Sequence, residues 1–234
     1  MDGVLAGMLF LPKALLTMDG ESSDARYLYG VATALSYRGK GVMTRLEAEA
    51  CRLAKTEGAK SIALVPAGKT LFDMYAKLGY RTRFYLGTAK VSPCVVSAAA
   101  VLPCSMNDFL VLRRDMLRKK RCSFDFYPEF SQFAYREYLF SGGEILKIET
   151  GKAVGYTVGI REGENCYRIQ ETDLSGQALA EAAGALRERH GTGEILLTGQ
   201  CGGRKPFAML KTLDPSVNSR KVRLMDAYAN LMIN

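Results

Sequence analysis

The chain has 234 residues, of which 48% are hydrophobic and 24% charged, and it carries a net charge of +8. This balance excludes a disordered chain; no apolar run reaches the ~20 residues of a membrane helix, and the opening MDGVLAGMLFLPK has no basic region ahead of its apolar stretch, which argues against a secretory signal. The basic residues are scattered, so the charge suits a polyanionic ligand rather than a nucleic-acid-binding arm, and the RKKR run at 118–121 reads as a solvated helix end.

In chain order, residues 4–11 and 27–33 read as strands, separated by TMDGESSD, a turn or loop cluster. A glycine-rich loop follows, then a helix from about Val42 to Thr56. Its apolar face is Val42, Leu46, Ala50, Leu53 and Ala54, and Gly58 stops it. Residues 61–66 (SIALVP) are continuously apolar and read as a buried strand. Thr70, with Asp73 three residues on, resembles the capping pair of a short helix that Gly79 ends, and YRTRFYLGTA returns as a strand. Residues 93–122 read as a crossover. From Gly143 on, three strands (ILKIET, AVGYTVGI, NCYRIQE), a helix (ALAEAAGALRERHG) and a strand (EILLTG) repeat the order of elements in residues 4–66. The expectation is a mixed α/β protein divided as 1–92, 93–122 and 123–234, each of its two folded units a mostly antiparallel sheet flanked by helices.

Six cysteines (Cys51, Cys94, Cys104, Cys122, Cys166 and Cys201) form no CxxC pair, and the single histidine is His190. That spacing does not make a zinc site. The thiols read as reduced, which places the chain in the cytoplasm. His190 lies in RERHGTGE and reads as the last residue of a helix beside Gly191, so a Ser–His–Asp or Cys–His mechanism lacks its base.

The stretch most suited to chemistry is ALSYRGKGVMTRL, residues 34–46. A loop that leaves a strand and opens a helix points backbone N–H groups at one spot, where the helix adds partial positive charge. Gly39 and Gly41 let that backbone approach a ligand. Arg38 and Lys40 add charge, so Arg38–Thr44 reads as a pyrophosphate cradle. A dinucleotide fingerprint needs a third glycine, where Arg45 and Leu46 stand. A nucleoside-triphosphate loop has a decoy in Gly68-Lys69-Thr70, but Ala63 occupies the position of its first glycine, and no suitable Mg²⁺-binding Asp follows.

The stretch VATALSYRGKGVMTRL, followed by LVPAGKTLFDMYAKLGY, resembles the GNAT acetyltransferase superfamily. The family's [Q/R]xxGx[G/A] pattern falls on Arg38-Gly39-Lys40-Gly41-Val42-Met43, with Met43 departing from it, and LFDMYAKLGY is similar to the family's LYxKxGF helix. The resemblance covers about residues 4–90. The end of the chain, GGRKPFAMLKTLD…YANLMIN, is similar to the tail of tandem GNAT proteins with a degenerate second domain.

The resemblance implies acetyl-CoA as cosubstrate, a primary amine as acceptor, and no metal. It places the pyrophosphate on Arg38, Gly39, Lys40, Gly41, Val42, Met43 and Thr44. The pantetheine would lie along Val31, Ala32 and Thr33, in a gap between strand 27–33 and strand 61–66. Tyr75 falls on the family's general acid, although it also shares an apolar helix face with Leu71, Phe72 and Leu78. The general base stays open among water, Asp24 and the carboxylate of Asn234. The resemblance further implies an opening strand and two helices that the chain lacks, hence a shortened first unit, an exposed sheet flank and a homodimer. The second unit, whose corresponding link TDLSGQALAEA has no RxxGxG, would shape the acceptor pocket or the dimer interface. A GNAT fold that binds acyl-CoA or a protein partner without turnover is the alternative.

Overall fold

A computed structural model describes residues 3–94, 98–199, 203–224 and 227–229. The chain opens with β1 (Gly7–Phe10), β2 (Lys13–Met18), β3 (Glu21–Tyr27) and β4 (Tyr29–Thr33). Of the polar cluster TMDGESSD, read as a turn or loop, only Asp19 and Gly20 form a turn and the rest is strand. Asp19 and Gly20 have φ of 48° and 87°, the positive pair that a two-residue hairpin turn requires, and they join β2 to β3. Ser22, Ser23 and Asp24 are strand residues near an open end of the sheet, and their polarity disguised them.

The rest of the chain forms α1 (Val42–Thr56), β5 (Ser61–Leu64), α2 (Lys69–Lys77), β6 (Arg81–Lys90), β7 (Ala100–Pro103), α3 (Met106–Arg118), β8 (Cys122–Phe126), α4 (Pro128–Phe140), β9 (Glu144–Glu149), β10 (Val154–Glu162), β11 (Cys166–Thr172), α5 (Gly176–His190), β12 (Glu194–Gly199), β13 (Lys205–Thr212) and α6 (Ser219–Leu224). Two compact units divide these elements. Residues 3–85, 121–130 and 206–229 make the first, and 86–120 and 131–205 the second. The stretch 93–122, expected as a crossover, contains β7 and α3, which lie in the second unit.

In the first unit the sheet runs β13-β5-β3-β2-β8, antiparallel except for the parallel pair β3–β5. The α1 crossover makes that parallel pair possible. Its inward face buries Ala50 and Ala54 against Ile62, Leu64 and Leu28. Leu53, expected on that face, is exposed, and Glu47 is buried instead. The second unit repeats this plan. Its sheet runs β7-β9-β10-β11-β12-β6, and only β11–β12, joined through α5, is parallel. Ala182, Ala183 and Leu186 of α5 pack on Ile148, Tyr167, Ile169 and Ile195. A buried ion pair, Arg113 Nε to Glu171 Oε1 at 2.9 Å, ties α3 to β11, and the Tyr156 hydroxyl donates to the same oxygen.

The feature that shapes the first unit lies between β3 and β4. Tyr27 is the last residue of β3 paired with β5, and the Leu28 N–H still donates to the Ala63 carbonyl at 2.8 Å. Beyond it, among the described residues, β4 pairs with β1 alone. The register moves from Phe10↔Tyr29 to Met8↔Ala32, so Gly30 and Val31 together oppose the single Leu9, which is a β-bulge. The bulge turns the side chains over. Tyr29 stays on the face of Tyr27, whereas Val31 and Thr33 face α1.

Gly30 sits at φ 60°, and a Cβ there would lie 2.9 Å from the Phe10 ring. Gly30→Ala should therefore destabilise the protein by about 1–2 kcal/mol, read as a lower urea midpoint with an unchanged m-value.

Candidate functional site

Where β4 leaves β5, a cleft of about 570 Å³ opens. Its lining includes Val31 and Thr33 of β4, Arg38, Gly39 and Gly41 of the following turn, Val42, Met43 and Thr44 of α1, and Tyr75 of α2. Of the residues singled out from the sequence, Ala32 and Lys40 are not in the lining. Ala32 is exposed on the opposite face of β4, and the Lys40 ammonium sits 5.3 Å from the centre of the Tyr37 ring. Tyr37, Leu71 and Met74 complete the wall. The sequence held a signal for the last two, since 71, 74, 75 and 78 share one helix face. Tyr37 carried none.

The turn has its shape because Gly39 and Gly41 both adopt left-handed backbone, at φ 74° and 73°. A Cβ at either would meet nothing within 4 Å, so the backbone conformation and not the space demands glycine. Gly41 is the N-cap of α1, no side chain caps that end, and the first helical bond runs from Arg45 N to Gly41 O at 3.1 Å. The N–H groups of Val42, Met43 and Thr44 thus have no intrahelical acceptor. The Arg38 side chain folds back, its Nε donating to the Thr33 carbonyl at 3.3 Å.

The edge of β4 that faces the cleft is a second source of hydrogen bonds. The Ala34 N–H donates to the Ala6 carbonyl at 3.0 Å, so the even positions of β4 bond to β1. Antiparallel alternation then turns the Val31 and Thr33 backbone groups toward the cleft.

Tyr75 is 6% exposed, and its ring meets Tyr80 edge-on at 5.6 Å. Burial pushes its phenol above the ordinary tyrosine value, and the Glu47 carboxylate adds to the shift. Glu47, on α1, accepts from Lys211 Nζ of β13 at 2.8 Å and from Cys51 Sγ at 2.9 Å. Burial followed by this bond pushes the Cys51 thiol up to about 11, so Cys51 is a poor nucleophile. Burial alone would lower the Lys211 ammonium, but its bond to Glu47 and the nearby Cys51 outweigh that and hold it above the ordinary lysine value.

The remaining candidates fall away from the cleft. Asp24 accepts from the Tyr127 hydroxyl at 2.8 Å and is not among the residues lining the cleft. His190 ends α5 next to Gly191, stacks on Tyr167 with ring centres 4.3 Å apart, and contacts Glu144 at 2.9 Å. At α2, Thr70 does not cap the helix: Gly68 is the N-cap and bonds through no side chain. Cys201 and the Asn234 carboxylate lie outside the described residues. In the second unit, the link from β11 to α5 is closed by its own side chains. Asp173 Oδ1 accepts from the Tyr156 N–H at 2.8 Å, and Thr172 Oγ1 from the Leu174 N–H at 3.1 Å.

With this geometry in hand, comparison with known proteins gives a consistent answer. The family model described as acetyltransferase (GNAT) domain matches residues 1–83. Over those residues the chain is similar to a GNAT acetyltransferase domain. No curated protein sequence matches the chain. Among solved structures, a conserved protein of unknown function from Enterococcus faecalis V583, titled a probable N-acyltransferase, is 13% identical with a TM-score of 0.69. The match covers 92% of this chain and 61% of that one. A GCN5-related N-acetyltransferase from Anabaena variabilis gives 14%, 0.70, 92% and 61%, and Eis1 from Mycobacterium abscessus gives 12%, 0.66, 92% and 63% in the same order. At these identities the likeness shows the GNAT fold. The chain spans about three fifths of the length of these structures. No helix among the described residues is long and apolar enough to cross a membrane.

The Glu47–Lys211 pair yields a prediction with a defined pH window. Lys211→Met leaves Glu47 buried without its cation and should cost about 2–4 kcal/mol at pH 7, near the low end for a buried pair because Lys211 is partly exposed. A lysine whose pKa is raised on folding contributes stability that is fully present below its unfolded value, about 10.4. The contribution is lost as pH rises through the folded value. The gap between wild type and variant in urea midpoints should therefore hold from pH 6 to 9 and narrow above pH 10.

Proposed function

We propose that the first unit binds acetyl-CoA and transfers its acetyl group to a primary amine. The observation that carries this reading is the convergence, on one cleft, of three features. These are the α1 N-terminus with its two left-handed glycines, the open edge of β4, and the buried phenol of Tyr75.

The pyrophosphate would be held by the N–H groups of Val42, Met43 and Thr44, with Arg38 swinging from Thr33 to pair with it. Lys40 would act from outside the cleft, as a charge that draws the anion in. The pantetheine amides would bond to Val31 and Thr33 as a further strand. The Val31 N–H would polarise the thioester carbonyl as charge develops on its oxygen. The amine nitrogen forms its bond to the carbonyl carbon as the carbon–sulfur bond breaks. Tyr75 gives its proton to the departing thiolate, and the proton displaced from nitrogen leaves to water. No carboxylate lines the cleft among the described residues, so the amine must arrive neutral. In the second unit, the bonds that Thr172 and Asp173 make around their own loop argue against a second coenzyme site there.

A reading without turnover draws support from the same lack of a carboxylate. Tyr75→Phe separates the two. For a transferase, kcat should fall about a hundredfold or more with the KM for acetyl-CoA nearly unchanged, as followed by thiol release. Rates that are equal in wild type and Tyr75→Phe, or no acetyl transfer to any amine, would favour a binding protein. The pH profile adds a second check. Because Tyr75 titrates above the ordinary tyrosine value, kcat/KM for the amine should rise with pH as the amine loses its proton and should not turn down below about pH 10. Arg38→Ala should raise the KM for acetyl-CoA about tenfold.

A further inference from the structure

We propose that Tyr80, Glu47 and Lys211 form a proton relay behind Tyr75, which resupplies its phenol from solvent during acetyl transfer. This inference rests on the reading of Tyr75 as the acid of an acetyl-CoA cleft. Tyr80 and Lys211 act through Tyr75 and are positioning residues.

A proton given to the departing thiolate leaves Tyr75 as a phenolate. An ordinary thiol has a pKa of about 8.5 and a phenol of about 10, so that transfer runs uphill. Burial and the Glu47 carboxylate make it steeper, because both oppose the phenolate. Coenzyme in the cleft would cover the side of Tyr75 that lines it. A proton that neutralises the phenolate within the turnover must therefore come from behind.

A chain of polar groups stands there. The Tyr80 ring meets Tyr75 edge-on at 5.6 Å, and Lys211 Nζ lies 5.4 Å from the centre of the same Tyr80 ring. Lys211 Nζ donates to Glu47 Oε1 at 2.8 Å, and Cys51 Sγ donates to that oxygen as well and helps fix the carboxylate. Tyr80, Glu47 and Lys211 are not among the residues lining the cleft. Tyr80 is fully buried, and its hydroxyl has no hydrogen-bond partner among the described residues. A buried hydroxyl without a partner is costly and calls for an explanation. This one lies close enough to Glu47 and Tyr75 for the charge of either to hold it protonated. Its proton is thus uncommitted, next to the acid and next to the ion pair. Lys211 joins the chain of groups to water, since its side chain is 23% exposed where that of Glu47 is 4% exposed.

The steps balance. Tyr75 passes its proton to sulfur as the carbon–sulfur bond breaks. The Tyr80 hydroxyl passes its own proton to the Tyr75 oxygen and receives one from Lys211 through the Glu47 carboxylate. Lys211 is left as a neutral amine, and water at its exposed end restores the ammonium. Each group ends as it began, and solvent is the net donor. The hand-off is between groups of similar proton affinity, because lysine and tyrosine have ordinary pKa values of about 10.4 and 10.

The test uses the full chain. Binding of acetyl-CoA is measured by calorimetry. Thiol release is then followed with n-butylamine, benzylamine and putrescine, and the amine used fastest is kept. Tyr80→Phe removes only the hydroxyl, and kcat should fall about tenfold with the KM for acetyl-CoA unchanged. Lys211→Arg keeps a cation against Glu47 but cannot release a proton. Its kcat should fall as far, with a urea midpoint near that of the wild type. In mixtures of H2O and D2O, wild-type kcat should fall along a curve, the mark of more than one proton in flight, and that of Tyr80→Phe along a straight line. In the Tyr75→Phe background, Tyr80→Phe should cause no further loss. Wild-type kcat in either Tyr80→Phe or Lys211→Arg overturns the relay and leaves the transferase reading standing. A loss in Tyr80→Phe that persists in full in the Tyr75→Phe background does the same, by marking a structural role. A chain that does not bind acetyl-CoA, or binds it and acetylates none of the three amines, overturns both.

Discussion

One irregularity in the backbone governs the first unit. A β-strand inside a sheet normally spends its N–H and C=O groups on two neighbours. Here the chain pairs with β5 as far as Leu28, then a positive-φ glycine and one extra residue turn it away. Everything proposed for the site follows from that parting. It leaves at Val31 and Thr33 an edge with no partner strand among the described residues, opens a cleft beside α1, and separates the side chains of Val31 and Tyr29 onto two faces. A regular strand through residues 27–33 would pair its whole length and leave no gap for a pantetheine arm.

The second constraint is electrostatic and lies beneath the cleft. A carboxylate in the first half of α1 faces inward, with 3% exposure, and is tolerated because Lys211 reaches it from β13. An uncompensated buried charge would cost several kcal/mol, so this pair links a residue late in the chain to the helix that opens at the cleft. The same carboxylate helps hold Tyr75 in its neutral form. A phenol meant to donate a proton gains from that, since its neutral form is the one with a proton to give. The glycine turn, Tyr75 and the buried pair are thus parts of one packed structure.

Much of this was legible in the sequence. The helix Val42–Thr56 and the strand Glu194–Gly199 fall where the pattern put them, since strong periodicity and glycine stops leave little freedom. Most of the expected binding residues line one cleft because glycines at 39 and 41 have a local conformational cause. Three things were hidden. The β2–β3 hairpin was masked by polar residues on an exposed strand. Glu47 was masked because a charged residue reads as surface until its partner, 164 positions away, is known. The bulge at Gly30 was masked because register depends on the partner strand, and YLYGVAT alone reads as one continuous strand. The roles of Ala32 and Lys40 carried over from the family pattern, and the geometry puts both outside the lining.

The central claim is that acetyl-CoA lies along the open edge of β4 and on the α1 N-terminus. Hydrogen exchange on the full chain, with and without saturating acetyl-CoA, tests it most directly. The account predicts slower exchange confined to Val31, Thr33 and residues 39–44, with the interior of the second unit unchanged. Binding without protection at those amides, or protection centred on residues 172–176, would contradict it.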